Sequence, residues 1–213
     1  MIIGITGSLA TGKTSVARYL AYYLKAVLLD ADEIAHQALE KGSPTYKYIL
    51  SAFGSAILSK KALIDRKRLA ESAFANSLNQ KTLCGIIHPF AISKIESSIK
   101  DIYKKNNSSF IIIDAPLLIE SGLYKQCDQL IVVVSSLVLQ VERARNFKKI
   151  EPSDSLARIR LQMPLHKKIG YADHVIDNDL SLKELKQKCQ RLARKLKVLR
   201  NRKKRRNTKQ GRR

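Results

Sequence analysis

The 213 residues predict an α/β fold: a five-stranded parallel sheet flanked by helices and interrupted by a long helical stretch. Three observations carry that prediction. The strand-forming runs are apolar throughout rather than alternating, as in strands covered on both faces. Segments of helical period separate them. Polar residues of chemical interest gather at the carboxyl ends of the strands, where open α/β sheets bind their ligands.

The elements follow in order. IIGIT (2–6) is a short β-rich run ending in Gly7, and Lys13 to Lys25 has the apolar spacing of a helix. AVLLDAD (26–32) is a second buried strand with acids at its end, followed by the helix EIAHQAL (33–39). Residues 33–105 then change character, with helix-spaced apolar positions such as Ile86, Ile87, Phe90, Ile95 and Ile99. KKNNSS (104–109) is a loop, FIIID (110–114) a third strand ending in an acid, QLIVVV (129–134) a fourth and HVID (174–177) a fifth. Ser181-Leu182-Lys183-Glu184 has the capping-box spacing that opens a helix. Leu182, Leu185, Cys189, Leu192, Leu196 and Leu199 continue it at steps of three and four, one apolar face for packing on the body. After Leu199 the apolar residues stop, and residues 200–213 are expected to be a solvated, disordered basic tail.

Composition bounds the function. An apolar fraction of 45% suits a globular protein, not a disordered one. The longest apolar run, LIVVVSSLVL (130–139), is far below the ~20 residues of a membrane span. No secretory leader is expected, since no basic region or small-residue cleavage site marks the start. Cys84, Cys127 and Cys189 form no CxxC and are read as thiols of a cytoplasmic protein. His36, His88, His166 and His174 lack zinc-ligand spacing. The net charge is +22, but 13 Lys/Arg and no acid lie from Arg191 onward, leaving +9 for residues 1–190. That basic end suits either a solubilising tail with no dedicated partner or weak, salt-sensitive contacts to polyanions, with RNA, an acidic membrane surface and CoA's own phosphates as candidates.

GSLATGKT (7–14) spells G-x-x-x-x-G-K-[ST] between a strand and a helix, the context the phosphate-binding loop requires. Gly7 and Gly12 allow the tight turns, and the amides of Ser8, Leu9, Ala10 and Thr11 point inward at phosphate oxygens. Lys13 reaches the β- and γ-phosphates, and the Thr14 hydroxyl is placed to ligand Mg²⁺. The loop identifies the donor as a nucleoside triphosphate and leaves the acceptor open among a GTPase, a DNA-handling ATPase and a small-molecule kinase. The short chain, the absence of a guanine-reading NKxD and the acid after the second strand favour the last. Asp32 suits the base for an attacking hydroxyl or the cap of the helix after it, and the two roles are compatible. Asp30 fits a structural acid at the strand end. Asp114, closing FIIID, has the position of a Walker-B carboxylate that holds Mg²⁺.

Taken in order, GITGSLATGKTSVA, DADEIAHQAL, FGSAIL, IDRKRL, IHP, DAPLLIESGL and ADHVIDND resemble the dephospho-CoA kinase family over about residues 2–190. The resemblance implies ATP-dependent phosphorylation of the ribose 3′-hydroxyl of dephospho-CoA, with Mg²⁺. It also implies a P-loop kinase core over 1–38 and 106–199, a lid at about 140–165 and a helical CoA-substrate domain over 39–105. By that resemblance Asp32 is the catalytic base, Arg143 a lid arginine that meets ATP phosphates, and Asn178 part of the adenine pocket. Arg66, Arg68 and His88 become contacts to the acceptor. Two departures stand out: Phe147-Lys148 replaces an Arg-Asp pair usual in the lid, and Leu180 replaces a glycine. Another small-molecule or nucleotide kinase is the nearest alternative, and an RNA-associated nucleotide-binding protein a more distant one.

Overall fold

In the computed structural model, which describes residues 1–106 and 109–210, five parallel strands take the order β2-β3-β1-β4-β5. They are β1 (Ile2–Gly7), β2 (Val27–Asp30), β3 (Ile111–Asp114), β4 (Gln129–Val134) and β5 (His174–Asp177). The central trio is in parallel register, with Ile5 opposite both Asp114 and Ile131. β1, β3 and β4, buried at successive positions without alternation, occupy the middle, where both faces are covered. β2 is an edge strand: Val27 is 40% exposed, so the buried second strand expected from AVLLD is only half-buried.

The helices are α1 (Lys13–Leu24), α2 (Ala31–Gln37), α3 (Pro44–Phe53), α4 (Arg66–Phe74), α5 (Ser77–Lys105), α6 (Leu137–Lys148), α7 (Pro152–Arg160), α8 (Leu165–Ile169) and α9 (Leu182–Gln210). The chain forms two compact units, Met1–Leu29 with Asn106–Arg213, and Asp30–Lys105.

In the first unit α1 and α9 pack on one another and on the sheet around Ile3, Leu20, Ile112, Val133, Cys189 and Leu196. From Leu185 to Leu199 the apolar stripe of α9 is therefore the core-facing side that its spacing predicts, while Leu182, at the head of the expected stripe, is 68% exposed. The capping box also forms: Glu184 N–H donates to Ser181 Oγ at 3.3 Å, and Ser181 N–H donates to Glu184 Oε2 at 3.0 Å. The disordered tail does not follow as expected. α9 continues past Leu199 to Gln210, Arg200 stacks over Phe110 at 4.1 Å, and Lys203 pairs with Asp128. Lys and Arg are good helix formers, so the helix outlasts its apolar stripe. Residues 211–213 of that expected tail lie outside the described residues.

The second unit is helical around Ile49, Ile57 and Leu69. α2 packs against α5 and so belongs here, which moves the boundary from the expected 38/39 to 29/30. α5 runs through Lys105, absorbing the start of the loop expected over 104–109; residues 107 and 108 of that loop lie outside the described residues. His88 and Pro89 are inside this helix rather than in a turn.

Candidate nucleotide site

At the carboxyl rim of the first unit, the chain leaves β1 through Gly7. A Cβ there would lie 2.4 Å from Val133 O and 2.7 Å from Thr11 Oγ1, so no side chain fits. The loop then closes on the Ser8 carbonyl, which accepts from Thr11 Oγ1 (3.0 Å) and Lys13 Nζ (3.3 Å). Ala10 (φ 55°) and Gly12 (φ 90°) are left-handed, which turns successive amides to one side as an anion nest. Gly12 is also the N-cap of α1, whose first turn has no acid and whose cap makes no side-chain hydrogen bond. The positive end of α1 thus faces the loop with no acid in its own first turn to compensate it. Ser8 Oγ is buried without a hydrogen-bond partner among the described residues, a polar atom left for a ligand oxygen.

Thr14 Oγ1 donates to Asp114 Oδ2 at 2.9 Å, and Asp114 is 5% exposed. Parallel pairing of β1 with β3 delivers Asp114 to the start of α1 from a hundred residues away. The pair fits Mg²⁺ by donor chemistry: a hydroxyl and a carboxylate are the hard oxygen ligands this ion takes alongside substrate phosphates and water.

Asn178 lies just beyond β5 and is buried. Its Nδ2 donates to Thr11 O at 2.8 Å, and a Cβ on Gly12 would approach that same Nδ2 to 2.1 Å. Asn178 therefore braces the phosphate loop from below. Its carbonyl accepts from Arg143 Nη2 at 2.8 Å, while Arg143 Nη1 donates to Ser135 Oγ at 3.1 Å. Ser135 Oγ in turn donates to Asp179 Oδ1 at 2.7 Å, and Ser136 N–H donates to the same carboxylate. These hydrogen bonds hold Asp179 below the ordinary carboxylate value. Arg143, on α6, is thus tied to the loops after β4 and β5. Further along α6, Phe147 is 81% exposed and Lys148 sits in the last turn.

Sequence reasoning missed Lys168 and left Glu120 without a role. Lys168 is 0% exposed; its ammonium meets Glu120 Oε1 at 2.9 Å and donates to Pro116 O. Glu120 Oε1 also accepts from Met163 N–H at 3.0 Å, and Pro116 O from Thr6 Oγ1 at 3.1 Å. The loop that leaves Asp114 is thereby clamped to β1 and to the segment between α7 and α8. Burial lowers the Lys168 pKa and Glu120 opposes the shift. The only signal in the chain is an acid in DAPLLIE, since KK at 167–168 is one basic pair among many.

The other expected site residues belong to the second unit. Asp32 is an exposed residue in the first turn of α2, and the cap is Asp30, whose Oδ1 accepts from the amides of Asp32 (3.0 Å) and Glu33 (3.2 Å). The capping role considered for Asp32 therefore passes to Asp30. Arg66 opens α4 behind the N-cap Asp65. Arg68 Nη1 donates to Leu58 O at 2.6 Å, bracing the Leu58–Ile64 bridge. His88 is half-buried on α5.

Comparison with known proteins agrees with this geometry. The family model described as dephospho-CoA kinase matches residues 1–184. A dephospho-CoA kinase from Fusobacterium nucleatum is 40% identical over 191 residues, 90% of this chain and 96% of that one. One from Bacillus licheniformis is 38% identical over 184 residues, covering 86% and 90%. The solved dephospho-CoA kinase from Campylobacter jejuni superposes with a TM-score of 0.66 at 28% identity, over 92% of this chain and 96% of that one.

Proposed function

The chain belongs to the dephospho-CoA kinase family, and on that premise we propose how its residues share the transfer of the γ-phosphoryl group of ATP to the ribose 3′-hydroxyl of dephospho-CoA, giving CoA and ADP. The observation that carries the reading is the phosphate loop joined to the Thr14–Asp114 pair.

The amides of Ser8 to Thr11 and the start of α1 receive the phosphates, and Lys13 leaves the Ser8 carbonyl to reach the transferring group. Thr14 and Asp114 would hold Mg²⁺, which would supply positive charge to offset that of the phosphates. Asn178 fixes the carbonyl of Thr11 and so the curvature of the loop. Arg143 exchanges its bonds to Ser135 and Asn178 for ATP phosphates as charge develops. Arg66, Arg68 and His88 hold the acceptor, and Asp32 orients the 3′-hydroxyl and takes its proton as the oxygen attacks phosphorus. An exposed carboxylate serves here because positioning dominates this chemistry. The reaction belongs to the cytoplasm, where ATP is made available and the three cysteines stay free thiols.

Coupled ADP-release kinetics test the scheme. Asp32→Asn is expected to lower kcat by about 10²- to 10⁴-fold while ATP affinity is unchanged. Near-normal turnover refutes the base, and faster turnover of another hydroxyl acceptor refutes the assigned substrate.

A further inference from the structure

The positive charge of α9 is arranged, not scattered. Leu185, Cys189, Leu192 and Leu196 face the core, and the opposite side carries Lys183, Lys186, Arg194 and Lys197 in one row, with neutral Gln190 in the gap between Lys186 and Arg194. Arg191, Lys195 and Arg202 form a second row beside it, and all seven cations are exposed. From Lys183 to Arg202 the helix extends roughly 30 Å at about 1.5 Å per residue. The only acid on α9 is Glu184, occupied in the capping box. An ordinary solvated helix interleaves acids with bases, because like charges three and four residues apart repel.

Two acids of neighbouring elements, Asp173 and Asp128, are engaged by backbone amides. Asp173 accepts from Leu130 N–H at 2.8 Å, and Asp128 accepts from Ile2 N–H and pairs with Lys203. Where the second row meets edge strand β5, Lys188, Arg191, Lys195 and His174 line an open groove of about 450 Å³ in which Asp173 is the one acid.

We propose that this face of α9 docks the phosphodiester backbone of double-stranded nucleic acid, without regard to base sequence. Charge complementarity along a rigid rod argues for a polyanion of matching length. Membrane insertion is disfavoured because the apolar stripe is already spent on the core. A protein partner would need an apolar or aromatic centre, and the face offers only Val198. Single strands are held by stacking on aromatic rings, and α9 has none. The face is separable from phosphoryl transfer: α9 begins after Asn178, beside the nucleotide rim, and leads away from it, so that Lys203 meets Asp128 at the opposite edge by Ile2.

Fluorescence anisotropy of the full chain with labelled 20-base-pair RNA and DNA duplexes, across 50–300 mM KCl, tests this. Binding to either duplex is expected, with affinity falling about 500-fold between 50 and 200 mM salt if five phosphates are engaged. The variant R194Q/K197Q/R202Q should lower affinity at 0.1 M KCl on the order of 100-fold and flatten the log–log salt slope by about 2.7. Its turnover of dephospho-CoA should stay within twofold of the parent, which also reports an intact fold. Three results overturn the proposal: no duplex binding at 50 mM KCl, a variant within threefold of the parent, or a U20 single strand or phosphatidylserine vesicles bound as tightly as the duplexes.

Discussion

Removing the ammonium of Lys168 or the charge of Glu120 should destabilise the first unit unequally, and the inequality can be worked from their surroundings. In Lys168→Met each former partner keeps another donor: Glu120 still accepts from Met163 N–H, and Pro116 O from Thr6 Oγ1. The Glu120 side chain is also 22% exposed, so water reaches the stranded carboxylate. In Glu120→Gln the stranded group is an ammonium with 0% exposure, left with neutral oxygens alone. Breaking a buried pair costs about 3–5 kcal/mol. Glu120→Gln belongs at the upper part of that range, and Lys168→Met, relieved by hydration, at about 2–3 kcal/mol. For a chain of this size 1 kcal/mol moves Tm by about 2–4 °C. Thermal denaturation followed by circular dichroism should therefore show a fall of about 4–12 °C for Lys168→Met and a larger one for Glu120→Gln. The double variant should lose less than the sum, because it strands no charge. Additive losses, the reverse ranking, or a Glu120→Gln protein within 2 °C of the parent would refute the clamp. The pH dependence gives an independent sign. Burial places Lys168 below its ordinary value of 10.5, so just below that pH the unfolded chain binds more protons than the folded one. Stability should then rise with pH across that window, and the parent should gain on Lys168→Met as it does.

Three further outcomes concern the loop and the thiols. Gly12→Ala meets both a φ of 90° and an approach of 2.1 Å to Asn178 Nδ2, so ATP affinity by calorimetry should fall at least about 100-fold. Asn178→Ala, which strands only the Thr11 carbonyl, should cost about 1–3 kcal/mol of stability in urea unfolding. The Cys127 thiol is pushed up to about 12 by burial and then by Asp128, and the Cys189 thiol to about 11 by burial. Iodoacetamide at pH 8 should therefore label half-buried Cys84 first in the native enzyme, read by peptide mass spectrometry, and early labelling of Cys127 would contradict its burial.

What was legible in the chain is what local spacing determines. GSLATGKT carries its own geometry, because glycines, a lysine and a hydroxyl at fixed offsets make the loop wherever a strand enters and a helix leaves. Ser181 and Glu184 likewise need only each other. The illegible parts depend on partners distant in sequence or on degenerate local choices. Val27–Asp30 has the composition of a central strand, and only the order of the assembled sheet puts it at the edge. Asp30 and Asp32 differ by two positions, and both suit a helix start until the backbone selects Asp30 as cap. The end of the apolar stripe at Leu199 was an unsound guide to the end of α9, since burial and helix propensity are separate causes of helix and only the first stops there. Lys168 shows the same limit at the site itself. A buried lysine and a solvated one have the same letter and basic neighbours, and what distinguishes them is a carboxylate 48 residues upstream. Two clamps, Asn178 under the loop and Lys168 behind Asp114, therefore connect the nucleotide machinery to the last third of the chain. These ties between the phosphate loop, the Asp114 loop and the segment from α6 to β5 are hydrogen bonds outside the catalytic motif, and the stability they contribute is what the Lys168 and Asn178 variants measure.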